Sequence, residues 1–354
     1  MSQATRYREI EVGGEPFAMG QQIGEAAREE IRGFAAIALE RVNKTMRVSP
    51  ERVAEVARQS VPYAESYDAD MVDELRGMAH SSGVSLEDLM LLQVRNQLQP
   101  EGDAGCTSFA LEPRASLEGR SVVGQNWDND PALDPYTVVL TRRPTDKPAL
   151  MTITQAGLIA YIGLNDRGLG LCMNTLPAPS RPLGVPHYFT VRGIFATDSL
   201  KGAVAAVARA QRAIPANIIL AAPDGAADLE VTVDQVHVLR ADGPGQVVHT
   251  NHCVHPELEP INANFPELIE SHPRKSRLEG LFAASGRRVG LAAVKAALSD
   301  HDNFPKSICR HANDHPTNGY WTSVFSVVIE ADTGCMHVSR GNPCEKPYET
   351  YTLN

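Results

Sequence analysis

Residues 102–110 read GDAGCTSFA and set one cysteine, Cys106, between a small, turn-like run and the start of a strand. Gly105 can take backbone conformations closed to other residues, and a small residue there lets the thiol approach the preceding carbonyl carbon. A cysteine so placed can attack its own upstream peptide bond, pass through an ester-like intermediate and emerge as a new N-terminus. It then carries nucleophile and base on one residue. An α-amine with a pKa near 7.7–8.0 is about 10–20% unprotonated at neutral pH, whereas a lysine amine near 10.4 is almost wholly charged. N-terminal amines serve as the base in variants of the catalytic triad. The alternative for the same residue is a buried, inert strand cysteine.

Two further stretches offer polar chemistry. GQNWDND, residues 124–130, packs Gln125, Asn126, Trp127 and Asp128 at a strand end, where burial requires hydrogen-bond partners and so suggests a polar pocket. Taken alone, the stretch is read first as a strand running into an Asx-rich turn, Asp128-Asn129-Asp130-Pro131. VVHTNHC, residues 247–253, carries His249, His252 and Cys253, with His255 just beyond, as soft metal ligands. Strand alternation puts His249 and His252 on opposite faces, and no Cys/His pair elsewhere completes a recognised spacing, so no metal centre is expected. Asn251, and Arg310 in SICR (307–310), matter more if an anionic intermediate must be held.

The elements that must position these residues change character at Cys106. Before it, apolar residues recur at helical spacing from Pro16 to about Met46. Ser49-Pro50 opens a second helix, Asp68–Met78 forms a third, and Ser85 with Asp88 makes a capping box before Leu86, Leu89, Leu92 and Val94. Strands hardly feature there. After Cys106 come short β runs: TSFAL, SVVGQNW, YTVVLT, LMTITQ and a hairpin whose turn is Asn165–Gly168. Helices return over about 187–212, then strands in NIILAAP, DLEVTV, QVHVLR and QVVHT, helices near 274–299, and strands in SVFSVVIE and MHVSR. Meanders with helices inserted as blocks predict stacked layers and antiparallel sheets.

Composition bounds the function classes. The chain has 354 residues, 43% hydrophobic and 21% charged, which is ordinary for a folded protein. A net charge of −10 argues against nucleic acid as main partner. No apolar run reaches the roughly 18 residues that span a bilayer, so no membrane association is expected. No signal-peptide pattern or C-terminal lipidation or peroxisomal address is present, and a cytoplasmic location is expected. Six scattered cysteines without a C-x-x-C pair indicate no disulfide framework.

GCTS, GQNWD, VHTNHC and SDHDNFPKSICR, in that order, closely resemble the penicillin acyltransferase family (acyl-coenzyme A:6-aminopenicillanic acid acyltransferase, peptidase family C45) of the N-terminal-nucleophile hydrolases. The resemblance runs from roughly Pro16 to the C-terminus. It implies an α+β fold, a four-layer αββα sandwich with a mainly helical N-terminal segment. It implies self-cleavage between Gly105 and Cys106 into an α chain, 1–105, and a β chain, 106–354, which stay associated as one domain. Cys106 matches the nucleophile and Asp128 a carboxylate beside the new α-amine. Asn251 matches the side-chain donor of an oxyanion hole, and Arg310 a cation that lowers the thiol pKa below about 8.5. Asn126, Asn174 and Ser307 are supporting matches, Asn174 by likeness to the bile-salt hydrolases.

The connector ALEPRASLEGRSVV between Cys106 and GQNWD departs from the family and suggests an extended hairpin; substrate choice lives in such loops. The expected reaction is hydrolysis of an N-acyl bond of a small molecule through an acyl-Cys106, without a cofactor. The alternative is acyl transfer to an amine, with a coenzyme A thioester as possible co-substrate. Lower alternatives are an unprocessed cysteine peptidase using His249 or His252 as base, and a metal-binding protein. A homo-oligomer is possible.

Overall fold

The structure is a computed structural model in which residues 5–45, 48–98, 105–241, 243–264, 270–316 and 319–354 are described. The turn-like residues Gly102–Ala104 and the Met46 end of the first predicted helix lie outside them.

The N-terminal segment is helical, with two departures from the sequence reading. A strand, β1 (Glu9–Gly14), opens it, and the single helix expected over 16–46 is two, α1 (Pro16–Ala26) and α2 (Arg28–Thr45), separated at Ala27. The separation lets α1 lie against α4 (Ala69–Ser82) at backbone contact: a Cβ on Gly20 would sit 1.9 Å from the Glu74 carbonyl oxygen, and one on Gly77 2.1 Å from that of Phe17. Local caps follow the predictions. Ser49 caps α3 (Pro50–Tyr67) by accepting from the Arg52 amide. Ser85 caps α5 (Leu86–Val94), accepting from the Asp88 amide at 3.0 Å and donating to its carboxylate.

From Cys106 onward the chain builds two sheets. The smaller contains β2 (Thr107–Leu111), β3 (Val122–Asn129), β11 (Gln246–His249), β12 (Thr322–Glu330), β13 (Cys335–Arg340) and β14 (Tyr348–Thr352), in the order β11-β2-β3-β12-β13-β14. The larger sheet runs β1-β4-β5-β6-β7-β8-β9-β10. Its members after β1 are β4 (Thr137–Pro144), β5 (Leu150–Gln155), β6 (Ile162–Asn165), β7 (Gly170–Asn174), β8 (Ala216–Ala222), β9 (Gly225–Val231) and β10 (Val236–Arg240). β1 pairs parallel with β4 and the other named pairs are antiparallel. β2 and β3 form the expected hairpin, Thr107 opposite Asn126 and Leu111 opposite Val122, closed by the long connector.

Strand alternation sorts side chains between layers. On the smaller sheet Val123 and Trp127 face the larger one, Trp127 stacking on Phe325 at 4.9 Å and meeting Tyr161 edge-on at 5.8 Å. Its other face carries Phe109, Leu111, Val122 and Val328 against Leu278 and Phe282 of α8 (Ser271–Ala284) and Val294 and Leu298 of α9 (Leu291–Leu298). The larger sheet's outer face receives the N-terminal helices: Ile31, Leu89 and Leu92 close on the turn at Gly157. The order is helices, sheet, sheet, helices: the αββα sandwich. Two helices, α6 (His187–Phe195) and α7 (Leu200–Ala208), return to the first helical layer, where Tyr67 of α3 crowds Gly193.

Candidate active site

Cys106 lies immediately before β2, where the strand's parity turns its side chain, with Ser108 and Ala110, toward the space between the sheets. It is 6% exposed and lines a cavity open at its mouth. Trp127, Tyr161, Tyr188, Tyr320 and Trp321 give that cavity aromatic walls, and Arg41, Arg95, Asn96 and Asp128 its polar positions.

The predicted site residues Cys106, Asp128, Asn251 and Arg310 converge here, in roles partly different from those expected. The Cys106 amide donates to Asn251 Oδ1 at 3.0 Å. Asn251 is therefore an acceptor for the nitrogen next to the nucleophile. Its Nδ2 rests at 3.2–3.3 Å from the hydroxyl and carbonyl oxygens of Thr175, a cavity residue, and its own amide is fixed by Ser271 Oγ at 2.7 Å.

Asp128 sits on β3 with Oδ1 accepting from Ser323 Oγ at 2.7 Å, while Oδ2 is buried without a hydrogen-bond partner. Burial drives its pKa from 3.8 up to about 7, against the pull of Arg274, Arg310 and the Ser323 hydrogen bond. Gly105 is wedged beside it: a Cβ there would lie 3.1 Å from Asp128 Cβ and 3.4 Å from an Arg310 amino nitrogen. Gly105 does not use left-handed backbone. Close approach, rather than an unusual dihedral, is what makes glycine fit.

The Cys106 thiol is not acidified. Burial pushes its pKa up to about 12 and Asp128 adds to the rise, outweighing the Asp128 amide, the Gln125 side chain and Arg274, which favour thiolate. In the unbroken chain the cation that favours the Cys106 thiolate is Arg274, where Arg310 was expected. Arg310 acts on Asp128, and its backbone pairs with Ser323. The cation that reaches Cys106 is Arg274, on the first turns of α8. It donates to the Cys106 carbonyl at 2.5 Å, to Thr107 Oγ1 at 2.8 Å and to Asn251 Oδ1 at 3.0 Å. Nothing in SHPRKSR marks it out by sequence; only the packing of α8 under β2 delivers it.

The supporting residues position others. Asn126 Nδ2 donates to the carbonyls of Leu298 and Ile308, pinning the SICR segment to β3. Ser307 Oγ donates to the Cys309 carbonyl within that segment. Asn174 does not join the cavity. Its neighbours Met173 and Thr175 line it, while Asn174 donates to Ser108 Oγ and Asn217 Oδ1.

The histidines considered as bases are engaged elsewhere. His249 lies 2.9 Å from both the Thr250 carbonyl and Glu230 Oε1. His252 Nδ1 lies 2.7 Å from Ser271 Oγ, its ring stacks on His272 at 3.6 Å, and burial with His272 lowers its pKa to about 3. Among the described residues lining the cavity there is no imidazole. His252 and Cys253 do not gather with His249 as metal ligands either; the groups beside His249 are Asp228 and Glu230.

A relative from Emericella nidulans, the acyl-coenzyme A:6-aminopenicillanic-acid-acyltransferase 40 kDa form, is 26% identical over 353 residues, 96% of this chain and 94% of that one. Among solved structures, penicillin V acylase from Agrobacterium tumefaciens aligns at 12% identity over 70% of this chain and 86% of that one, with a TM-score of 0.48. A single-residue variant of conjugated bile acid hydrolase from Clostridium perfringens aligns at 12% identity over 70% of this chain and 97% of that one, with a TM-score of 0.47. Residues 116–345, which include Asp128, Asn251, Arg274 and Arg310, match the family described as acyl-coenzyme A:6-aminopenicillanic acid acyl-transferase, and the chain belongs to that family.

Proposed function

We propose that the protein is a self-processing cysteine amidohydrolase that hydrolyses the N-acyl bond of a small molecule through an acyl-Cys106. The observation that carries the reading is the placement of the Cys106 amide nitrogen. It is held by Asn251 beside its own thiol, in a cavity that no described imidazole lines. Burial pushes the thiol pKa up to about 12, so for turnover at neutral pH the sulfur needs a group that takes its proton. Scission supplies the missing base.

In the processing step Cys106 Sγ attacks the Gly105 carbonyl carbon. The C–S bond forms, the C–N bond breaks, the thiol proton passes to the nitrogen, and water then hydrolyses the thioester to a Gly105 carboxylate and a free thiol. The new α-amine stays on Asn251 Oδ1. Movement of Gly105 uncovers Asp128 Oδ2, the oxygen without a partner, which can then hold the ammonium form. In turnover the α-amine takes the thiol proton, the sulfur attacks the acyl carbon, the substrate C–N bond breaks and the amine departs with that proton; water or an amine then attacks the thioester carbon, the C–S bond breaks, and the sulfur leaves with a proton as the acyl group is released. Asn251 Nδ2, on long bonds to Thr175, is the donor available to the tetrahedral oxyanion; losing such a donor costs about 2.7–4 kcal/mol. The aromatic walls suit an apolar or aromatic acyl group.

Acyl transfer from a coenzyme A thioester is the second reading, favoured by the activity named for the 26%-identical relative. It shares the acyl-enzyme and differs in the donor, a thioester in place of an amide, and in the acceptor, an amine in place of water.

Denaturing mass spectrometry tests the first step. The expected outcome is two fragments, 1–105 and 106–354, with Cys106→Ala remaining one chain. Full turnover of N-acyl amines by an uncut chain would sink the reading. Parallel assays of N-acyl amine hydrolysis and of transfer from acyl thioesters decide between acceptors.

A further inference from the structure

Outside the catalytic cavity, His301, Cys309, His311 and Cys344 bring two imidazole nitrogens and two sulfurs to within 4.8 Å of one another. His301 Nε2 lies 3.1 Å from His311 Nε2. Cys309 Sγ and Cys344 Sγ lie 3.5 Å apart, and 3.6 Å and 3.5 Å respectively from His311 Nε2. We propose that these four residues form a tetrahedral zinc site that ties the loop carrying Arg310 to the turn between β13 and β14.

The spacings argue for a cation at the centre. A tetrahedron with Zn–S of about 2.3 Å and Zn–N of about 2.0–2.1 Å has edges of about 3.8 Å (S–S), about 3.6 Å (S–N) and about 3.3 Å (N–N). Four of the six edges, among His311, Cys309 and Cys344 and from His301 to His311, lie within about 0.3 Å of these, and the two from His301 to the sulfurs lie within 4.8 Å. A disulfide needs its sulfurs at about 2.05 Å. Hydrogen bonding alone accounts poorly for the cluster, because His311 Nε2 has three neighbours and carries at most one proton. Two sulfurs and two imidazoles in this geometry select zinc over magnesium or calcium, which prefer oxygen. Binding releases one proton from each thiol to solvent, and the two thiolates balance the 2+ charge.

The surroundings are those of a supported site. Asn342 Nδ2 donates to Cys309 Sγ at 3.4 Å and to the Arg310 carbonyl at 2.7 Å, coupling a ligand to the residue beside Asp128. Phe304 packs against both rings, edge-on to His301 at 5.8 Å and tilted to His311 at 5.2 Å. The ligands His301, Cys309 and His311 lie in residues 299–316, a long stretch after α9 with neither helix nor strand, which also holds Ser307 and Arg310. A loop of that length needs a fastening to keep a guanidinium in place. The spacing of His301, Cys309 and His311 matches no familiar ligand motif, and Cys344 arrives from another strand turn.

The test uses the full chain purified without a polyhistidine tag and kept reduced. Elemental analysis is expected to find one zinc per chain, lost in Cys344→Ser and His301→Ala, whose positions are exposed, and retained in Cys335→Ser. Chelator-treated protein is expected to melt lower, to recover with zinc but not magnesium, and to show the intense visible bands of tetrahedral cobalt(II) thiolate when given cobalt. Reduced protein that neither contains nor takes up zinc overturns the proposal. So does zinc that survives both substitutions, a different metal held at these residues, or a Cys309–Cys344 disulfide in freshly isolated protein.

Discussion

At the scale of single residues, the site is governed by burial more than by its named charges. Asp128 sits between two arginines and still has a pKa near 7, because desolvation outweighs both. A carboxyl whose folded pKa is raised from 3.8 to about 7 binds more protons folded than unfolded between those values. Its contribution to stability is full below about pH 4 and is lost as pH rises through about 7. Three pKa units correspond to on the order of 4 kcal/mol. In an uncut Cys106→Ala background, Asp128→Asn is therefore expected to flatten the decline in stability between about pH 4 and 7. Urea unfolding at a series of pH values checks this, and parallel profiles for the two proteins would contradict it. Arg274 belongs to the same scale: its three hydrogen bonds fix the carbonyl of the nucleophile, the next side chain and Asn251 together.

At the scale of elements, β2, β3 and α8 make the site by parity and approach. Strand alternation sends Cys106 toward the cavity and Thr107 toward Arg274, so one residue of slip would exchange them. The helical layer depends on a different device, the backbone contact of α1 with α4 at Gly20 and Gly77. Gly77→Ala places a methyl about where the Phe17 carbonyl oxygen stands, so the helices must separate. A loss of about 1–3 kcal/mol is expected, within the range of overpacking. Thermal or denaturant melts measure it, while Gly280→Ala on α8, where nothing lies within 4 Å, is expected to be neutral or mildly stabilising.

At the scale of the whole molecule, a cut before Cys106 would leave the two fragments interlocked. Residues 1–105 supply α1–α5 and the edge strand β1, which pairs with β4 along six residues. Glu74 of α4 is buried against Arg142 of β4 at 2.8 Å and Arg192 of α6 at 3.3 Å, so separation would strand charges on both sides. The fragments are expected to co-elute in size exclusion under native conditions and to part only in denaturant. Free release of residues 1–105 in native buffer would contradict this.

The sequence by itself determined the local features: the caps at Ser49 and Ser85, the hairpin turn at Asn165–Gly168, the change of texture at Cys106, and the ordered stretches that hold Cys106, Asp128, Asn251 and Arg310. These are encoded in neighbouring residues and short periodicities. The tertiary structure alone decided that Asn251 accepts from Cys106, that Arg274 rather than Arg310 reaches the nucleophile, and that Asn174 is bonded to Ser108 and Asn217. It also decided that β1 joins the larger sheet's edge and that Cys344 meets His301, Cys309 and His311. Burial and electrostatic field at a point are sums over groups distant along the chain, and no window of sequence contains them.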